Sequence, residues 1–147
     1  MDGAERPLGE APERAPEAVP AGIRMTIDGA LRASISRAVV RIHAEHYGKG
    51  ATQAKTYAFE NLIVTVLRDV FTTAESTLIG LDRANAVRDV RSTFQESMSQ
   101  TFVTAIERLT GRQVESFMSQ VDPATGLGVE VFVLASDARP DEAARDR

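Results

Sequence analysis

The apolar positions fall into blocks with different periods. From Ile27 to His46 they recur as Ile27, Leu31, Ile35, Ala38, Val39 and Ile42, while Arg32, Arg37, Arg41 and Glu45 take the other faces. This spacing predicts an amphipathic helix of about five turns, stopped by Gly48. Arg41 and Glu45 form an i, i+4 pair of modest value on it. From Tyr57 to Val70 the pattern changes. Its centre, Leu62-Ile63-Val64-Thr65-Val66-Leu67, is β-branched and apolar on both faces, which predicts one strand over 57–70, covered on both sides. Thr72 with Glu75 three residues later is a capping box and opens the next helix. A first segment runs to about Leu81, with Gly80 and Asp82 as breaking points. A longer helix from Arg83 to Leu109 follows, with Val87, Val90, Phe94, Met98, Phe102, Ala105, Ile106 and Leu109 along one face. Gly111 ends it in a left-handed conformation. Val114–Val121 and Leu127–Leu134 then flank Asp122-Pro123-Ala124-Thr125-Gly126, where Pro presets φ and Gly accepts a positive one, so the pair reads as a hairpin.

The resulting order is helix–strand–helix(es)–strand–strand. It describes an α+β fold: a single small domain with a three-stranded mixed sheet packed on two main helices. A helical crossover joins the first two strands, so those strands are expected to run parallel with a right-handed connection. So small a sheet is easily covered on one face only, yet its strands are apolar on both. A bare apolar sheet face is an interface, and a homodimer is the expectation. In the alternative, the two helices straddle the sheet and leave a monomer.

Composition narrows the chemistry. The 147-residue chain is long enough for one domain. It has no cysteine and two histidines, which excludes disulfides, thiol catalysis and thiolate metal sites. The net charge of −4 is uneven. Residues 1–22 carry five acids against Arg6 and Arg14, and residues 136–147 carry four acids against three arginines. The middle, 23–135, balances 12 acids with 12 bases. Four of the six prolines also lie in the first twenty residues. Both ends therefore read as disordered tails, 1–22 and 136–147, around a domain over 23–135. With no basic surplus, nucleic acid is not an expected partner. The N-terminus lacks the pattern of a signal peptide, and no run approaches the roughly 18 apolar residues of a membrane span. The expectation is a soluble cytoplasmic protein.

Candidate chemistry is sparse. In the loop Gly48-Lys49-Gly50-Ala51-Thr52, two glycines let backbone amides face outward, and Lys49, Thr52 and Lys55 could meet an anion. The loop lacks P-loop spacing and follows a helix rather than a strand, so a helix cap with a connecting turn is the reading it is weighed against. His43 and His46 stand at i, i+3, but a metal would need a third ligand; near a helix end, surface positions beside the dipole are expected. Arg91 flanks the apolar stripe of the long helix and could pair with Asp122 or an acidic partner. No paired carboxylates, nucleophile–base pair or dinucleotide fingerprint stands out, so no catalytic residue, cofactor or metal is assigned. Thr72 and Glu75 are explained by capping.

Several runs together resemble a known family. Tyr47-Gly48-Lys49-Gly50-Ala51-Thr52-Gln53-Ala54-Lys55-Thr56-Tyr57 is similar to its Gly-basic-Gly-Pro-Thr-x-(Ala/Arg)-basic-Thr-Tyr segment, with Ala51 where proline is usual. Leu62–Leu67 followed by Phe71-Thr72-Thr73-Ala74-Glu75-Ser76-Thr77-Leu78 resembles its apolar strand and Leu-Thr-x-x-Glu-x-x-Leu run, with Phe71 for leucine. Val87-Arg88-Asp89-Val90-Arg91 resembles its Val-x-x-x-Arg segment. Leu109–Val114, Val121-Asp122-Pro123 and Val129–Leu134 resemble its closing hairpin. The family is the Na+-translocating membrane potential-generating system MpsC family, and the resemblance covers Asp28 to Ala135. It implies a small soluble bacterial protein acting beside a membrane ion-transport system, without itself transporting anything. Two functions fit these residues. One is a non-enzymatic accessory or regulatory dimer that binds another protein, such as a transporter subunit. The other is a small anion- or nucleotide-binding module or enzyme using the Gly48–Lys55 loop.

Overall fold

Asp28 opens the first helix by accepting the Leu31 amide at 2.9 Å, and Gly48 closes it at φ 74°. The computed structural model describes residues 26–136. The two tails expected over 1–22 and 136–147 lie outside them, apart from Ser136. Helix α1 spans Gly29–Tyr47 and is followed by β1 (Gln53–Phe59), β2 (Leu62–Arg68), α2 (Thr73–Gly80), α3 (Ala84–Thr110), β3 (Val114–Asp122) and β4 (Leu127–Leu134).

The fold is α+β, but its sheet is not the expected one. The single strand expected over 57–70 is a hairpin, β1 and β2, turning at Glu60 and Asn61 with Phe59 opposite Leu62. The turn contains neither glycine nor proline, and its positive φ, 51°, falls on Glu60, so Asn61 is its one turn-favouring residue. The sheet therefore has four strands in the order β1-β2-β4-β3, every neighbouring pair antiparallel. Parallel pairing of the first two expected strands is also overturned. β4 returns between β2 and β3, so the two strands joined by the helical crossover never touch.

Both long helices lie on the same face. His43 of α1 meets Phe102 of α3, and Tyr47 meets Phe94, so the helices run antiparallel. The helices do not straddle the sheet, and the two-sided apolar pattern of β2 has a different cause from double coverage. Ile63, Thr65 and Leu67 are buried beneath the helices, whereas Leu62, Val64 and Val66 look out from the other side. The core is Leu31, Ile35, Val39 and Ile42 of α1, Met98, Phe102 and Ile106 of α3, and the helix-facing positions of the strands. Phe102, Phe117 and Phe132 pack as a cluster, with centroids 5.0–6.5 Å apart.

The stripe on α3 is also rotated from its sequence reading. Val87, Met98, Phe102 and Ile106 are buried as expected, but Val90 and Phe94 are exposed and Arg91 is fully buried. The capping box on α2 is present in both directions. In the loop after α1 the constraint is steric: a Cβ on Gly50 would stand 3.0 Å from Val40 Cγ1 and 3.3 Å from the Val40 carbonyl. Only glycine lets the loop backbone lie that close to α1.

Candidate functional site

Among the described residues, no helix packs on the outer face of the sheet. Strand alternation sends every second residue there. Tyr57 and Phe59 of β1, Leu62 of β2 and Met118 of β3 are exposed large hydrophobic side chains, at 52%, 73%, 39% and 53%. Val64, Val66, Val129, Val131 and Val133 lie half-buried between them. The register lines Tyr57, Val64, Val131 and Met118 into one row across all four strands. Lys55 stands one row away, its ammonium 5.2 Å from the Tyr57 ring centroid.

The loop candidates do not converge. Lys49 folds back over the start of α2: Nζ donates to the Asp69 and Phe71 carbonyls at 2.7 and 3.0 Å and pairs with the Asp69 carboxylate at 3.1 Å. Thr52 sits at the sheet edge, its amide on the Arg68 carbonyl. Lys55 points to the outer sheet face, away from Lys49. Gly48 caps α1 and Gly50 packs on Val40. An anion held by this loop would have to draw Lys49 from three oxygens. Lys49→Ala is expected to lower unfolding free energy by about 1 kcal/mol in urea denaturation.

Arg91 pairs with neither Asp122 nor an outside acid. Asp122 caps its own turn, accepting from the Ala124 amide and the Thr125 hydroxyl. Arg91 reaches from α3 to α2, where Nε and Nη2 grip the two oxygens of Glu75 at 2.6 and 2.7 Å. Nη2 also donates to the Val70 carbonyl at 2.8 Å, and the guanidinium carbon lies 3.7 Å from the Tyr47 ring centroid. Burial pushes the Glu75 carboxyl up, but the Arg91 hydrogen bonds, the Thr72 amide and the guanidinium charge outweigh it and hold it below the usual carboxylate range. Burial raises the Tyr47 phenol, against the pull of Arg91. One carboxylate thus serves as a helix cap and as the counter-ion of a buried arginine.

The residue that sequence reasoning missed is Glu130. It lies in β4 among apolar neighbours, faces the helices and is 2% exposed. Its Oε1 meets Nε2 of His43 at 2.8 Å, so His43 is a core residue and not a surface one. The row continues through Thr65, paired with Glu130 across the strands, then Thr56 at 2.9 Å and Ser36 at 2.7 Å. The one available signal was the alternation Val129-Glu130-Val131-Phe132, which puts Glu130 on the face of the core residue Phe132. His46 bonds back to the Ile42 carbonyl and shares no site with His43. Among the described residues no group of three or more His, Asp or Glu side chains is placed to hold a metal.

The sequence profile of the Na+-translocating membrane potential-generating system (MpsC) matches residues 28–136, nearly all of the described residues. The chain belongs to the MpsC family. A relative in Bacillus subtilis (strain 168), the uncharacterized protein YbcI, is 27% identical over 110 residues, covering 74% of this chain and 89% of its own. No solved structure matches significantly. This MpsC chain has, among its described residues, no helix long and apolar enough to cross a membrane.

Proposed function

We propose that this MpsC protein is a non-enzymatic accessory of a membrane ion-transport system, acting in the cytoplasm as a homodimer that binds another protein. The family's name supports the link to Na+ translocation and membrane potential. The observation that carries the interaction role is the outer sheet face, where four large hydrophobic side chains stand in the open beside five half-buried valines. A contiguous apolar surface of this kind is costly in water and is typical of an interface. The charge balance of residues 23–135 adds no net repulsion between two copies. In this reading, 1–22 and 136–147 are tails of a single interaction domain.

Light scattering at micromolar concentration tests the dimer. The expected mass is about twice the 15.9 kDa of the chain. The double substitution Val64→Asp and Val131→Asp, which places charge in the middle of the face, is expected to halve that mass while retaining the helical circular dichroism. A wild-type mass of one chain sinks the proposal.

A further inference from the structure

The outer face is graded along the strands. At one end Phe59, Leu62, Val133 and Ser116 form a row, and Tyr57, Val64, Val131 and Met118 form the next. The third row is Lys55, Val66, Val129 and Gln120. Beyond it Gln53 pairs with Arg68 and Asp122 with Leu127. The face is thus apolar at the end of the Glu60–Asn61 turn and charged at the end where Lys49 ties the loop to α2.

Two identical sheets packed face to face are related by an axis in the plane between them. Aligned packing, with strands within about 30° of each other, leaves that axis along the strands or across them. An axis across the strands lays each strand on its own copy end for end. Phe59 and Leu62 would then cover Gln53 and Arg68, burying a guanidinium against apolar groups with no carboxylate opposite it. An axis along the strands keeps every row on itself. It exchanges β1 with β3 and β2 with β4, so Tyr57 meets Met118, an aromatic–sulfur contact, and Val64 meets Val131. Lys55 then lies over Gln120 of the second copy, one row from its Asp122, where oxygen acceptors are at hand.

Resting on the dimer proposed above, we infer that the two copies pack through their outer sheet faces with the two-fold axis along the strands, β1 of each copy over β3 of the other. Both copies then point the same way. The two Gly48–Thr52 loops, with the starts of α2 beside them, lie at one end of the dimer and form a doubled surface for a single partner.

The chain contains no cysteine, so an introduced thiol has only its designed counterpart to react with. Tyr57 and Met118 are half exposed, and a change at either leaves the core intact. A Tyr57→Cys chain mixed with a differently tagged Met118→Cys chain is expected to form a covalent pair containing one of each with a short bismaleimide that spans the roughly 10 Å between packed sheets. Tyr57→Cys alone is expected to form none, because three strand spacings, about 14 Å, separate the two copies of that position sideways. Cross-linking of Tyr57→Cys with Lys55→Cys instead, or a dimer without the Tyr57–Met118 link, overturns the axis but leaves the dimer standing. A monomer by light scattering overturns both.

Discussion

Replacing Arg91 with alanine is expected to cost about 3–5 kcal/mol, the range for leaving one partner of a buried ion pair without the other. The side chain is fully buried and its bonds are convergent: two to Glu75, one to the Val70 carbonyl, and a face against Tyr47. Truncation leaves a carboxylate and a carbonyl short of donors and opens a cavity beneath α2. That helix fully buries no residue of its own and packs on the core through partly buried Leu78 and Ile79, so the arginine clamp is its main polar tie to the body of the domain. Hydrogen exchange in Arg91→Ala is therefore expected to rise first in Thr73–Gly80. The pH dependence follows in sign. Glu75 has a depressed folded pKa, so its contribution is present above the unfolded carboxylate range and is lost as pH falls through the depressed value. Urea midpoints measured from neutral pH to pH 3 should fall more steeply for the wild type than for Glu75→Gln. Equal slopes would show that the pair contributes nothing to acid stability.

The second large effect is expected at Glu130. Its carboxyl group is buried in the central strand β4, with Oε1 2.8 Å from Nε2 of the His43 imidazole. Glu130→Ala removes the partner of a buried imidazole and leaves a cavity, at an expected cost of about 3 kcal/mol. The double change His43→Leu with Glu130→Met is expected to recover most of that loss, because a buried polar pair contributes little against well-packed apolar groups of similar volume. Chemical denaturation of the single and double variants measures the coupling. Additive losses would mean that the two residues act independently and that the pairing is incidental.

Much of the fold was legible because short-range physics writes it locally. The Thr72–Glu75 box, the glycine ends of α1 and α3 and the Asp122–Gly126 turn each depend on residues a few positions apart. All four stand where the sequence puts them. The β1–β2 turn was not legible, since a lone Asn61 after Glu60, with no glycine or proline, is a weak turn signal and Gln53–Thr56 reads as polar at an edge strand. The candidate site was legible only in outline. Two-sided apolarity pointed to an exposed sheet face, but periodicity reports how many faces are apolar and not which is covered. For the loop, residue type suggested an anion, whereas the fold spends Lys49 on the Asp69 and Phe71 carbonyls.

By itself the sequence determined the helices, the closing hairpin, the family and the charge balance of residues 23–135, because caps, turns and periods act over a few residues. Only the tertiary structure decided the antiparallel order β1-β2-β4-β3, the one-sided helical layer and the partners of the buried polar side chains. His43 and Glu130 are 87 positions apart, and Glu75 and Arg91 are 16 apart on different helices. A buried polar group selects its partner by distance in space and by the cost of desolvation, and neither is written in the spacing of residues along the chain.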